Sequence, residues 1–172
     1  MEQGYTQIYT GNGKGKTTAA LGLCLRAAGA GLRVYFGQFM KTAHTSEAKA
    51  LTAFAAQICH ETYGTGDELA RVTPNADKAA AQQGLEKARA ALLGGAYDLV
   101  VLDEINVAQH LGYISEAAVL ALISEKPRAT ELVLTGRSAS QAVLDAADLV
   151  TEMCEVKHYY HAGVFARKGI EH

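Results

Sequence analysis

Thr10-Gly-Asn-Gly-Lys-Gly-Lys-Thr-Thr18 combines glycines, lysines and hydroxyls at a spacing that suits one task, the binding of a phosphate chain. Gly11, Gly13 and Gly15 let successive backbone N–H groups turn inward and approach phosphate oxygens with no Cβ in the way. The alanine-rich segment that follows supplies a helix N-terminus, where unpaired N–H groups and the positive end of the dipole favour an anion. Lys16 is spaced to reach the terminal phosphates and the Thr17 hydroxyl to ligate Mg²⁺, while Asn12, Lys14 and Thr18 complete the candidate nucleotide-binding set. The general pattern G-x-x-x-x-G-K-[ST] has glycine where this chain has Thr10, but its Gly-Lys-Thr core is intact. Lys14 has two readings, a phosphate contact or a solvated loop lysine.

A metal beside Thr17 needs a carboxylate, and one apolar run ends on two of them. Tyr97-Asp-Leu-Val-Val-Leu-Asp-Glu104 reads as a buried strand that delivers Asp103 or Glu104 to the phosphate loop, in the manner of a Walker B segment. Spacing does not choose between the two, and the rival reading is a cap for a following helix. Arg137 directly follows another buried strand on the same rim; it either neutralises phosphate charge or sits in a surface salt bridge. Gln38 and Lys41 stand at the C-terminal end of a further strand, where open α/β sheets bind their ligands. Cys24, Cys59 and Cys154 are odd in number and widely spaced, so buried reduced thiols are expected. His158 and His161 lack the nearby carboxylate or thiol ligands that a metal site would require.

The elements that must position these groups alternate along the chain. Tyr5–Thr10, rich in β-branched and aromatic residues, is the first strand, and Thr17–Ala28 a helix with Leu21, Cys24, Leu25 and Ala28 on one stripe. Arg33–Phe39 is a second strand whose continuous apolar character suits a parallel sheet covered on both faces. A helix capped by Thr45 or Ser46 and a strand over Gln57–Tyr63 follow, then a loop over the site from Tyr63 to Pro74. Ala81, Leu85, Ala88 and Leu92 set the inner face of a helix over Asn75–Leu93, with Asp77, Lys78, Glu86, Lys87 and Arg89 turned to water. Helices from Ser115 to about Glu125 and from Ser140 to Ala146, with strands over Glu131–Gly136 and Leu149–Val156, complete the alternation. The expected fold is an α/β phosphate-loop NTPase-like domain spanning residues 1–172, its sheet mostly parallel with helices on both faces.

Composition bounds the rest. Hydrophobic residues make up 49% of the 172 and charged residues 20%, as in an ordinary globular domain. A net charge of −2 gives no support to nucleic-acid binding. The N-terminus lacks signal-peptide features and the apolar runs are too short to span a membrane, so a cytoplasmic protein is expected.

Together these blocks resemble the phosphate-loop type of ATP:corrinoid adenosyltransferase. The likeness rests on Thr10–Thr18, Arg26 followed by Gly29 and Gly31, Gln38-Phe-Met-Lys41, Val100–Glu104, Thr135-Gly-Arg137, Ala147-Asp148, and Val156-Lys-His158 with Ala162-Gly163. Thr10 itself is usual in that family. The resemblance implies that cob(I)alamin or a cob(I)yrinic acid a,c-diamide-type precursor attacks C5′ of ATP and releases triphosphate. It also implies a homodimer, a reduced flavoprotein as electron donor, and roles for Arg26 and Lys41 in nucleotide binding. Where the family commonly has Gly-aromatic-Thr-Trp this chain has Gly64-Thr-Gly-Asp67, and Tyr63 is the aromatic at hand to replace it.

The residues agree with that chemistry, because Co(I) is the nucleophile and no convincing Ser/His/Asp or Cys/His constellation is found. Lys16, Thr17 and Arg137 would act on the leaving triphosphate. Two alternatives remain: an ATPase or kinase that cleaves the β–γ bond, with Glu104 placing the attacking group, or a non-catalytic escort that binds ATP and a corrinoid. The products separate them.

Overall fold

The computed structural model describes residues 1–65 and 74–171, so most of the expected loop between Tyr63 and Pro74 lies outside the described residues. Six strands form one sheet: β1 (Thr6–Thr10), β2 (Val34–Phe39), β3 (Ile58–Tyr63), β4 (Leu99–Asp103), β5 (Glu131–Thr135) and β6 (Leu149–Glu152), in the order β3-β2-β4-β5-β1-β6. Every pairing is parallel. A parallel neighbour requires a crossover, and helices supply it. They are α1 (Lys16–Gly29), α2 (Ser46–Leu51), α3 (Pro74–Leu93), α4 (Ile105–His110), α5 (Glu116–Glu125) and α6 (Gln141–Asp145).

The period-2 alternation of the strands divides the core into two layers. Val34, Phe36, Leu99, Val101 and Val133 face α1 and α2. Tyr35, Phe39, Val100, Leu102, Leu132 and Leu134 face α3, α4, α5 and α6. Each fully buried side chain of this size contributes about 1.5–3 kcal/mol of transfer free energy, so the central strands are the rigid frame of the molecule.

Four expectations need correction. The inner stripe of α1 is Ala20, Cys24 and Ala27, whereas Leu25 is exposed, because small residues let the helix lie close against the sheet. Asp77 is buried rather than solvated: its Oδ1 accepts from the Thr65 backbone N–H at 3.2 Å and the Thr65 hydroxyl at 2.8 Å. Helix α4 does follow the two carboxylates, with Glu104 at its N-cap position in a left-handed conformation, φ 61°, but the Glu104 side chain makes no capping bond, so the cap reading fails. Strand β6 stops at Glu152, short of Val156, because its partner β1 ends at Thr10 and becomes the phosphate loop.

The cysteines also differ from expectation. Cys24 is buried, and burial pushes its thiol up to about 12, but Cys59 is only partly buried and Cys154 is exposed.

Candidate nucleotide site

The C-terminal ends of β1, β2, β4 and β5 meet at one rim, where a cleft of about 600 Å³ is lined by Lys16, Thr17, Lys41, Glu104 and Arg137 together with residues of the C-terminal tail. That volume is within the range of sites for small organic ligands. Backbone conformations that non-glycine residues rarely adopt mark the rim: Met40 follows β2 at φ 60°, Glu104 follows β4 at φ 61°, and Ser138 follows β5 at φ 60°. Such residues concentrate where the fold must aim side chains at a site.

The loop between β1 and α1 is shaped by its glycines and by what packs on it. Gly15 precedes α1 at φ 123°, a conformation that excludes a side chain without strain. Helix α1 has neither a side-chain cap nor an acidic residue in its first turn, so its N-terminal N–H groups and dipole are left for an external anion. The Gly13 N–H donates to the Met153 carbonyl at 2.6 Å, and a Cβ on Gly13 would stand 2.6 Å from that oxygen. Two of the three glycines, Gly11 and Gly13, are thus required as much by the segment after β6 as by a phosphate.

Lys16 is buried and folds over its own loop, donating to the carbonyls of Gly11 at 2.7 Å and Gly13 at 2.8 Å. Burial lowers its pKa, helped by the nearby Arg137 charge. Lys14 turns the other way. It donates to the Tyr159 hydroxyl at 3.0 Å, the Ile170 carbonyl at 3.0 Å and Glu171 at 2.7 Å, which ties the loop to the tail. The lysine stays exposed while making these bonds.

Asp103 is the hub. Its carboxylate is fully buried and accepts from the Thr17 hydroxyl at 3.0 Å, the Thr135 hydroxyl at 2.6 Å, Gln38 Nε2 at 3.0 Å and Lys41 Nζ at 3.0 Å. The ion pair with Asp103 raises the Lys41 pKa against the opposing effect of burial. Of the two carboxylates, Asp103 meets Thr17, while Glu104 lines the cleft itself. Burial, then the Asp103 charge, raises the Glu104 pKa, and Lys41, Lys16 and Arg137 oppose the rise. The Glu104 backbone N–H donates to the Thr135 hydroxyl at 3.0 Å.

Thr17 and Asp103 offer hydroxyl and carboxylate oxygen, the donors that Mg²⁺ prefers. No group of three or more His, Cys, Asp or Glu able to hold a metal occurs among the described residues.

Lys16, Thr17, Thr18, Lys41, Glu104 and Arg137 are brought to one cleft, and Gly13, Lys14 and Gly15 form its floor. Asn12 is exposed in the loop. Arg26 is not brought there: it sits exposed in the last turn of the 14-residue α1, about 15 Å from Lys16 at a rise of about 1.5 Å per residue. Tyr63 does not replace the missing aromatics either. It is buried between Phe39 and α3, with its hydroxyl bonded to Glu61 and Tyr35.

The sequence reading missed Thr135, Gln38 as an Asp103 partner, and the tail as a wall of the cleft. Thr135 and Gln38 each end a strand at the rim, and that was the available signal. The tail carries His158, Tyr159, Tyr160 and His161 into the lining. His158 and His161 are engaged separately, His158 Nδ1 accepting from the Tyr160 N–H at 3.0 Å and His161 pairing with Glu155.

A buried loop lysine, an uncapped helix start and a hydroxyl paired with a strand-end carboxylate are groups suited to a phosphate chain. Residues 2–172 match the family described as ATP:corrinoid adenosyltransferase BtuR/CobO/CobP. The chain belongs to the ATP:corrinoid adenosyltransferase family. Among its relatives it is 38% identical to a corrinoid adenosyltransferase of Pseudomonas aeruginosa over 171 residues, covering 99% of this chain and 84% of the relative. It is 36% identical to the corrinoid adenosyltransferase of a Sinorhizobium species, covering 99% and 81% of the two chains. It is 34% identical to that of Escherichia coli K12, covering 99% and 87%. No described helix is long and apolar enough to cross a membrane.

Proposed function

We propose that residues 1–172 act as one nucleotide-binding domain that transfers the 5′-deoxyadenosyl group of ATP to the Co(I) centre of a corrinoid. The observation that carries this reading is the Thr17–Asp103 pair beside the uncapped start of α1, in a chain of this family. In the reaction the cobalt electron pair forms the Co–C5′ bond, the C5′–O bond breaks, and its pair leaves on inorganic triphosphate. Cobalt passes formally from Co(I) to Co(III).

The protein's task is to hold and stabilise a highly charged leaving group. The loop N–H groups and the α1 terminus would receive phosphate oxygens, and Lys16 would exchange its two carbonyl contacts for phosphate. Thr17 and Asp103 would hold Mg²⁺, which supplies Lewis-acid stabilisation of triphosphate charge when bound. Arg137 and Lys41 add positive charge along the same rim. No side chain need remove a proton, because the nucleophile is the metal centre of the substrate.

On this reading the enzyme is a cytoplasmic homodimer that receives its Co(I) corrinoid through a reduced flavoprotein. Anaerobic incubation of the protein with reduced cobalamin and Mg-ATP tests it: the Co(I) absorption should give way to a light-sensitive adenosylcorrinoid spectrum. Persistence of the Co(I) spectrum would refute the reading.

A further inference from the structure

Strand β3 is remote from the phosphate loop, with β2, β4 and β5 lying between it and β1 in the sheet, yet it carries a side chain that reaches toward the hub. His60 pairs in register with Phe36, stacks on its ring at 5.5 Å and 26°, and places Nε2 2.8 Å from Gln38 Oε1. Gln38 is fully buried. Its Nε2 donates to Asp103 Oδ2 at 3.0 Å and lies 3.4 Å from Glu47 Oε1.

An amide has one donating and one accepting end. Two carboxylates claim the donating end of Gln38, so its oxygen must face His60, and His60 must present an N–H there. With that N–H removed, Gln38 Oε1 would be a buried acceptor without a donor, and the amide would be free to rotate away from Asp103. The Asp103 carboxylate would then lose one of the contacts that fix its plane beside Thr17.

We infer that His60 is a positioning residue for the metal–nucleotide site, acting through Gln38 on Asp103. It touches neither substrate nor metal. The inference rests on the Mg²⁺ reading above, but its structural half does not. Gln38 is one contact removed from Asp103, the position from which side chains commonly govern metal affinity, and His60 fixes its orientation.

The test compares His60→Leu, which keeps bulk without a donor, with His60→Gln, which restores an N–H. Calorimetric titration of each purified protein with Mg-ATP and with metal-free ATP separates positioning from general damage. His60→Leu should weaken Mg-ATP binding about tenfold and metal-free ATP by less than about twofold, with His60→Gln close to the parent for both. Equal weakening of both nucleotides, or a glutamine variant no better than leucine, would overturn the inference. NMR of the Gln38 side-chain amide supplies a readout independent of nucleotide: its protons should lose exchange protection in His60→Leu and regain it in His60→Gln. If the parent binds no Mg-ATP, the proposed function fails, and unchanged Gln38 protection in His60→Leu would overturn the positioning role by itself.

Discussion

The Thr17 hydroxyl donates to Asp103 Oδ1 at 3.0 Å although 86 residues separate the two. One begins the first helix and the other ends the fourth strand, and β5 lies between their two strands. Thr135, at the end of β5, bridges that gap by donating to Asp103 and accepting from the Glu104 N–H. The site is thus held across three strand ends rather than along one loop.

Removing the hub should damage both fold and function. Asp103→Ala leaves Lys41 without its buried ion partner and strips acceptors from Thr135 and Gln38. Lys41 keeps Glu47 at 3.7 Å, but each buried hydroxyl or amide left unmet costs about 1–3 kcal/mol, so denaturant unfolding should show a loss of that order alongside lost Mg-ATP binding. Undiminished nucleotide binding would contradict the assignment.

Lys16→Ala should behave differently. Among the described residues the lysine bonds carbonyls of its own loop, so the thermal midpoint should change little while transfer falls by at least about a hundredfold. Full activity in that variant would remove the phosphate loop from the mechanism.

Gly13→Ala should disturb the loop and the segment beyond β6 together. Its Cβ would stand 2.6 Å from the Met153 carbonyl oxygen, an overlap with backbone that no side-chain rotation relieves. A loss of about 1–3 kcal/mol in chemical denaturation is expected, with weaker ATP binding. Wild-type stability would show that the tail does not pack on the loop as described.

The tail contact should respond to pH with a definite sign. Glu171 accepts from Arg167, Lys14 and Tyr159, which hold its carboxyl well below the ordinary value of 4.5. A lowered pKa means that the contribution is present above the ordinary carboxylate range and is lost as pH falls through the shifted value. Hydrogen-exchange protection of residues 159–171, measured relative to the unstructured rate at the same pH, should therefore be high at neutral pH and fall in strong acid, whereas Glu171→Gln should be poorly protected already at neutral pH. Equal protection in both proteins would sink this account of the tail.

Much of the site was legible in the sequence because its chemistry is local. Glycine spacing, the Gly-Lys-Thr core and an apolar strand ending in carboxylates each fit within ten residues, and short apolar or β-branched runs located all six described strands. What stayed hidden depends on strand order, which no local pattern encodes. The choice of Asp103 over Glu104 for Thr17, the bond from His60 to Gln38 and the return of Glu171 to Lys14 are all contacts between distant segments. The exposed Leu25 shows a second limit: hydrophobic spacing fixes a helix but not which of two adjacent stripes lies on the sheet.

The central claim is that carbon, not phosphorus, is attacked while the loop holds all three phosphates together. Phosphorus NMR of an anaerobic reaction with Mg-ATP and a Co(I) corrinoid reads this out directly. Intact inorganic triphosphate, formed in step with adenosylcorrinoid, is the result the account predicts; ADP with orthophosphate as the first products would contradict it.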